Sequence, residues 1–253
     1  MSNARIALIT GGSRGLGRSM AEHLAERGTD VVITYRSRDD EANKVVQSLQ
    51  SKGRRAAALK LDVGNSSSFD GFVESMKSEL SKTFDTDRFD YLVNNAGHGT
   101  HASFMETSEE QFDQLMAVHV KGPFFLTQKL VPLMRDGGRI LNISTGLARF
   151  SFPGYAAYAA AKGAMEVLTR YQAKELGERK ITANILAPGA IETDFGGGAV
   201  RDNADLNKMV ASGIALGRVG LPADIGGAVS LLLSDESGWI NGQRIEASGG
   251  QLI

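Results

Sequence analysis

Tyr158 and Lys162 lie four residues apart, joined by Ala159-Ala160-Ala161. Alanine favours a helix, and a helix brings residues i and i+4 onto one face. The segment therefore predicts a phenol beside an ammonium. A free phenol, with a pKa of about 10, is a poor acid–base group at neutral pH. A neighbouring cation stabilises phenolate and would lower that value, so Tyr158 would protonate a carbonyl oxygen as hydride reaches its carbon. Chance alone gives roughly 0.2 such spacings in this composition, and a surface tyrosine beside a solvated lysine is the alternative. The pair takes its weight from the rest of the chain.

Upstream, Thr10-Gly11-Gly12-Ser13-Arg14-Gly15-Leu16-Gly17 separates an apolar run from a helical pattern. Glycines let backbone approach a pyrophosphate closely, and a helix N-terminus adds N–H donors and partial positive charge. The Gly-x-x-x-Gly-x-Gly spacing differs from the usual Gly-x-Gly-x-x-Gly. Its place between the first strand and first helix argues for dinucleotide binding over a plain tight connection. The second strand ends Thr34-Tyr35-Arg36, without the carboxylate that would hold both ribose hydroxyls of NAD. Arg14 and Arg36 would suit a 2′-phosphate, so NADP(H) is expected over NAD(H); two solvated arginines are the alternative. Asp62-Val63, after the third strand, is expected to flank the adenine; an ordinary strand-end aspartate is the alternative.

Short apolar runs alternate with helical patterns. Strands are predicted at 6–9, 30–35, 56–61, 91–94, 139–144, 182–186 and 243–246, several of them apolar throughout, as for strands buried on both faces. Helices are predicted at 16–27, 41–51, 68–80, 109–134, 155–176 and 223–233. Pro123 and Pro132 must start, kink or end helical pieces within the longest of these. The alternation predicts an α/β fold, a doubly wound parallel sheet with helices on both faces. One domain over 1–253 is expected. The region from Pro188 to about Gly213, with Gly196-Gly197-Gly198, reads as irregular: a flap over the substrate, or a flexible surface connection.

The 253 residues carry a net charge of −1 and a sequence pI near 6.4. No global field favours nucleic acid or an anionic membrane. The absence of cysteine excludes disulfides and thiolate catalysis. Met1 to Ile9 lacks a secretory layout, and no stretch nears the ~20 apolar residues of a membrane span. A cytoplasmic protein acting on a small molecule is expected. His98 and His101 lack a clear third ligand, so no metal site is expected; pocket lining and a solvated loop both remain open for them. Phe150, Phe152 and Tyr155 are candidates for an apolar wall beside the substrate, or for core packing.

These residues together resemble the short-chain dehydrogenase/reductase family, over about Arg5 to Gly250. The likeness rests on the Thr10–Gly17 turn, Asn94-Asn95-Ala96-Gly97, Ile143-Ser144-Thr145, Tyr158 with Lys162, Pro188-Gly189-Ala190-Ile191-Glu192-Thr193, Ile240-Asn241-Gly242 and Gly249-Gly250. Within the family the likeness is to the single-domain branch that includes 3-oxoacyl-carrier-protein reductases, and nothing in the sequence indicates an acyl-carrier partner. The resemblance implies a single-domain Rossmann fold with a seven-stranded sheet, NADPH-dependent carbonyl reduction run reversibly, and a homotetramer or homodimer. It implies that Gly11, Ser13, Arg14, Gly15, Leu16, Gly17, Arg36, Asp62, Val63, Asn94, Ala96 and Gly97 hold the adenosine and phosphate side. Pro188, Gly189, Ile191 and Thr193, with Tyr158 and Lys162, would line the nicotinamide side.

Two positions depart from the family pattern. Thr145 stands where the family has serine, keeping the hydroxyl while adding a methyl. Ser144 is adjacent, but strand neighbours face opposite sides, and Thr145 takes the role. His119, in Val118-His119-Val120-Lys121-Gly122, stands where the family has an asparagine that holds a helix kink and a water on the proton path. Histidine would hold that water too and add a pH dependence near 6 to 7; a packed histidine without a role is the other reading. These departures motivate a second hypothesis, a catalytically weak NADP(H)-binding regulatory protein of the same fold.

Overall fold

The computed structural model describes residues 4–253. Residues 1–3, the start of the expected domain and of the stretch read for a leader, lie outside the described residues. Seven strands, β1 (Ile6–Ile9), β2 (Asp30–Tyr35), β3 (Ala56–Lys60), β4 (Phe89–Asn94), β5 (Met134–Ile143), β6 (Thr182–Pro188) and β7 (Arg244–Ala247), form one sheet. All pair in parallel, in the order β3-β2-β1-β4-β5-β6-β7. The order reverses between β1 and β4, and there the C-terminal strand ends open a crevice.

Helices α1 (Gly15–Glu26), α2 (Asp39–Ser51), α3 (Phe69–Phe84), α4 (Glu109–Met116), α5 (Gly122–Leu130), α6 (Ala156–Glu175), α7 (Ala199–Asp202), α8 (Ala204–Ala211) and α9 (Pro222–Leu232) connect the strands. The apolar run of β1 serves two cores because its pleat alternates. Ala7 and Ile9 join Met20, Leu24, Leu49 and Val229 of α1, α2 and α9. Ile6 and Leu8 join Phe69, Met76 and Leu80 of α3 and Leu126 and Leu130 of α5. Each fully buried Leu or Phe contributes about 1.5–3 kcal/mol, so the sheet is a stiff platform for its loops.

The structure corrects two expected elements. The single helix over 109–134 is instead α4, a π turn at Ala117–Lys121, α5 and a 3-10 turn at Val131–Leu133, and Met134 already begins β5. Pro123 has no N–H for the His119 carbonyl four residues back, and the ladder widens there. Pro132 confines the helix end to the tighter turn. The 188–213 region is not irregular: it holds a 3-10 turn at Phe195–Gly198 followed by α7 and α8. Gly196, Gly197 and Gly198 take φ of 62, 74 and 80°, which turns the chain into α7. Asn203 caps α8, its Oδ1 accepting from the N–H groups of Asp205 and Leu206 at 3.1 and 3.0 Å. No helix among the described residues is long and apolar enough to cross a membrane.

Candidate active site

The turn from β1 into α1 packs closely and leaves the start of α1 open. Gly11 has a φ of +67°, and a Cβ there would meet Ala96 Cα at 2.9 Å. A Cβ on Gly17 would meet the Gly11 carbonyl oxygen at 2.2 Å, so α1 packs onto the turn only with glycine there. Helix α1 begins without a side-chain cap or an acidic residue in its first turn. Its amide donors are left for an external acceptor, which fits a pyrophosphate. Asn95, absent from the expected site residues, holds this turn in place. Its Nδ2 donates to the carbonyls of Thr10 (2.8 Å) and Gly11 (3.2 Å), and Thr10 Oγ1 accepts from the Asn95 and Ala96 N–H groups, both at 3.0 Å. The doubled asparagine after β4 was the available signal. Asn94, assigned to the adenosine side, instead turns its side chain into the core. Its Nδ2 donates to Asn142 Oδ1 (2.8 Å) and Thr127 Oγ1 (3.0 Å), because β4 alternates faces and only one of the pair can meet the turn.

The basic groups divide. Arg36 lies exposed beyond β2 and helps burial hold the His98 imidazole below its ordinary pKa. Arg14 pairs with Asp194, 3.6 Å away in the 188–213 segment, and Asp194 also pairs with Arg201. Arg201 first, then Arg14 and Arg38, hold the Asp194 carboxyl below the usual range. Asp62 Oδ1 accepts from the Gly64 N–H at 2.9 Å, bending the chain after β3, and Val63 is buried beside it. Pro188 ends β6 in the interior, Ile191 bridges to Gly220, and the Thr193 methyl lies 4.0 Å from where a Gly15 Cβ would stand. The segment after β6 thus faces the phosphate turn.

Tyr158 and Lys162 lie on one face of α6, both buried. Burial lifts the Tyr158 phenol above its ordinary pKa, and the nearby Thr145 hydroxyl draws it partly back. Lys162 is pushed down to about 8 by burial. Its Nζ donates to the Ile143 carbonyl at 2.7 Å and stands 5.7 Å from the phenol ring centroid. The expected depression of the phenol pKa by Lys162 is therefore absent from this arrangement: desolvation dominates, and the counter-pull comes from Thr145. Thr145 and Ser144, both just beyond the end of β5, meet different partners. Ser144 Oγ donates to Glu166 Oε1 at 2.9 Å, away from Tyr158. Arg244 binds the same Glu166 oxygen at 2.7 Å and donates to the Thr145 carbonyl at 3.2 Å, tying the end of β5 to α6.

His119 sits buried in the π turn, its ring edge-on to Tyr158 at 5.2 Å between centroids. Its Nε2–H donates to the His98 carbonyl at 2.6 Å, and its Nδ1 is a buried acceptor without a partner among the described residues. Burial, then the Lys162 charge, drive its pKa down to about 2. The expected titration near pH 6 to 7 is thereby corrected: the imidazole stays neutral. Gly97 is bound to this histidine, since a Cβ there would meet His119 Cε1 at 2.4 Å. Phe195, which the sequence reading passed over, packs on Tyr158 (5.6 Å between centroids) and on Gly99. His98 faces His119 and His101 faces Tyr155, so the two loop histidines diverge. Phe150 lies against Gly146 and the Arg149 guanidinium, while Phe152 is exposed.

The glycine turn lies at the sheet's switch point, and the buried Tyr158 and Lys162 lie on α6 against the end of β5. A family model described as enoyl-(acyl carrier protein) reductase matches residues 11–251. A hydroxynaphthalene reductase-like protein, Arp2, of Metarhizium brunneum is 34% identical, over 98% of this chain and 95% of its own. The structure of the angucycline C-6 ketoreductase LanV with bound NADP superposes with a TM-score of 0.93 at 37% identity, over 98% of this chain and 95% of LanV. That of the reductase LugOII, which catalyses keto-reduction at C1 in lugdunomycin biosynthesis, gives 0.94 at 37% identity over all of both chains. The chain belongs to the short-chain dehydrogenase/reductase family and is an NAD(P)-dependent oxidoreductase.

Proposed function

We propose that the protein uses NADPH to reduce a ketone on a flat, fused-ring substrate, with Tyr158 as proton donor. The observation that carries this reading is the convergence of Tyr158, Thr145 and Lys162 beneath an aromatic side chain, Phe195. Thr145 would hold the carbonyl oxygen through its hydroxyl, and Tyr158, kept protonated by burial, would deliver its proton to that oxygen. Lys162, an ammonium at neutral pH, supplies the nearby positive charge. Bound NADPH supplies the hydride. Gly11, Ser13, Gly15, Leu16 and Gly17 would cradle its pyrophosphate, Arg14 and Arg36 its 2′-phosphate, Asp62 and Val63 its adenine. Ala96, Gly97, Pro188, Gly189, Ile191 and Thr193 would line the rest, with Lys162.

The 188–213 segment is read as the substrate flap of one 1–253 domain. Ala102 N–H donates to the Gly154 carbonyl at 3.0 Å and Phe195 lies on Gly99, so three loops meet around Tyr158. They carry exposed Phe104, Met105, Phe152 and Phe195, surfaces suited to a flat aromatic ligand. The hydroxynaphthalene and angucycline relatives support the same class of substrate. Exposed Phe124, Phe125, Val167 and Tyr171 on α5 and α6 support a homo-oligomer, and a cytoplasmic location completes the reading.

The test is NADPH oxidation with naphthalenone and angucycline-type ketones beside short aliphatic ketones, NADH in parallel. Preferred turnover of the fused-ring ketones with NADPH is expected. Tight NADPH binding without turnover on any ketone would contradict the reading and favour a regulatory binder.

A further inference from the structure

The last residues of the chain hold both roots of the 188–213 segment. At the first root, Ala190 N–H donates to Gln251 Oε1 at 2.9 Å, and a Cβ on Gly189 would meet that oxygen at 2.8 Å. At the second, Gln251 pairs with Ile214 in an antiparallel bridge. The Leu252 N–H donates to the Gly213 carbonyl (3.0 Å), the Ala215 N–H to Gly250 (3.2 Å) and the Leu216 N–H to Gly249 (3.0 Å). The two roots, more than twenty positions apart in sequence, thus converge on one glutamine.

Gln251 is also wired towards Thr145. Its carbonyl accepts from Arg149 Nη2 at 2.8 Å, and Arg149 Nη1 reaches the Leu252 carbonyl at 3.2 Å. Arg149 Nε binds Glu246 at 2.9 Å, Glu246 binds Arg244 at 3.0 Å, and Arg244 donates to the Thr145 carbonyl. We propose that Gln251 is a positioning residue for the reaction: its side-chain oxygen sets the first root of the flap, and its backbone the second, so that Phe195 stays over Tyr158. The role rests on the reading that this segment covers the substrate. Among the described residues Gln251 makes no hydrogen bond to Thr145, Tyr158 or Lys162; it acts through the Ala190 amide.

The experiment is limited trypsin digestion of the full chain, wild type against Gln251→Ala and Gln251→Glu. Arg201 and Lys208 lie within the flap, while buried Arg139 reports global opening. Gln251→Ala removes one acceptor from a half-buried amide, so cleavage after Arg201 and Lys208 should rise about three- to tenfold, with cleavage after Arg139 unchanged. Gln251→Glu keeps an oxygen at the same reach and should restore protection. In turnover, the ketone KM of Gln251→Ala should rise by a similar factor while kcat holds within about twofold. Equal flap cleavage in wild type and Gln251→Ala, or no rescue by Gln251→Glu, would overturn the assignment. Absence of ketone turnover in the wild-type protein would overturn the proposed function instead, and the digestion, which needs no turnover, would still decide the role of Gln251.

Discussion

Replacing His119 by asparagine should remove a specific acid sensitivity from the fold. The His119 pKa of about 2, against an ordinary 6.5, sets the buried imidazolium about 6 kcal/mol above its solvated state. Desolvation is the main cause, and the Lys162 charge adds to it. The folded-state pKa lies below the unfolded one, so this contribution to stability is complete above about pH 6.5 and lost as pH falls towards 2. At pH 5 the unfolded chain binds the proton about thirtyfold in favour and the folded chain does not, a loss of about 2 kcal/mol between pH 7 and pH 5. Asparagine does not titrate, so His119→Asn should lose that much less over the same interval; His23, His98 and His101 are common to both proteins. Urea unfolding at the two pH values measures the difference. The kcat/KM ratio of wild type to variant should meanwhile stay flat across neutrality. Equal losses in the two proteins, or an NMR titration of the His119 ring near pH 6.5, would show that the buried imidazole is not held neutral.

Four further outcomes follow from the same geometry. Gly97→Ala should destabilise by about 1–3 kcal/mol, because the new methyl meets the His119 ring; in a His119→Ala background most of that cost should vanish, which a double-mutant cycle of melting measurements checks. Glu166→Gln should cost about 1–3 kcal/mol by weakening the partly buried Arg244 pair and should lower kcat more than it changes the NADPH KM, since Arg244 holds the Thr145 carbonyl. Arg36→Ala should raise the NADPH KM by about tenfold or more while NADH kinetics barely move. Arg14→Ala should weaken NADPH less, because Arg14 is already paired with Asp194; an effect equal to that of Arg36→Ala, read from the same kinetics, would count against the pairing.

Much of the sheet was legible because its strands are apolar on both faces: β1 and β2 appear with the expected bounds. The 109–134 stretch was not, because its helical periodicity continues through Pro123 while the hydrogen-bond ladder does not. The two short helices after β6 depend on glycine dihedrals and one asparagine cap rather than on a hydrophobic stripe. At the candidate site, Ser144 and Thr145 lie just past the end of β5, and Ser144 turns to Glu166. The i, i+4 rule brought Tyr158 and Lys162 together, but not their pKa values, which burial by distant elements decides. Asn95, Asp194, Phe195 and Gln251 act through partners remote in sequence, so spacing carried no trace of them beyond the doubled asparagine.

In the proposed reaction Tyr158 delivers the proton while the glycine turn and its neighbours hold the cofactor. Tyr158→Phe tests it most directly, with turnover of a fused-ring ketone and NADPH fluorescence titration measured on the same preparation. Turnover should fall by about a thousandfold or more, with NADPH affinity unchanged within about threefold. Turnover retained in Tyr158→Phe would contradict it.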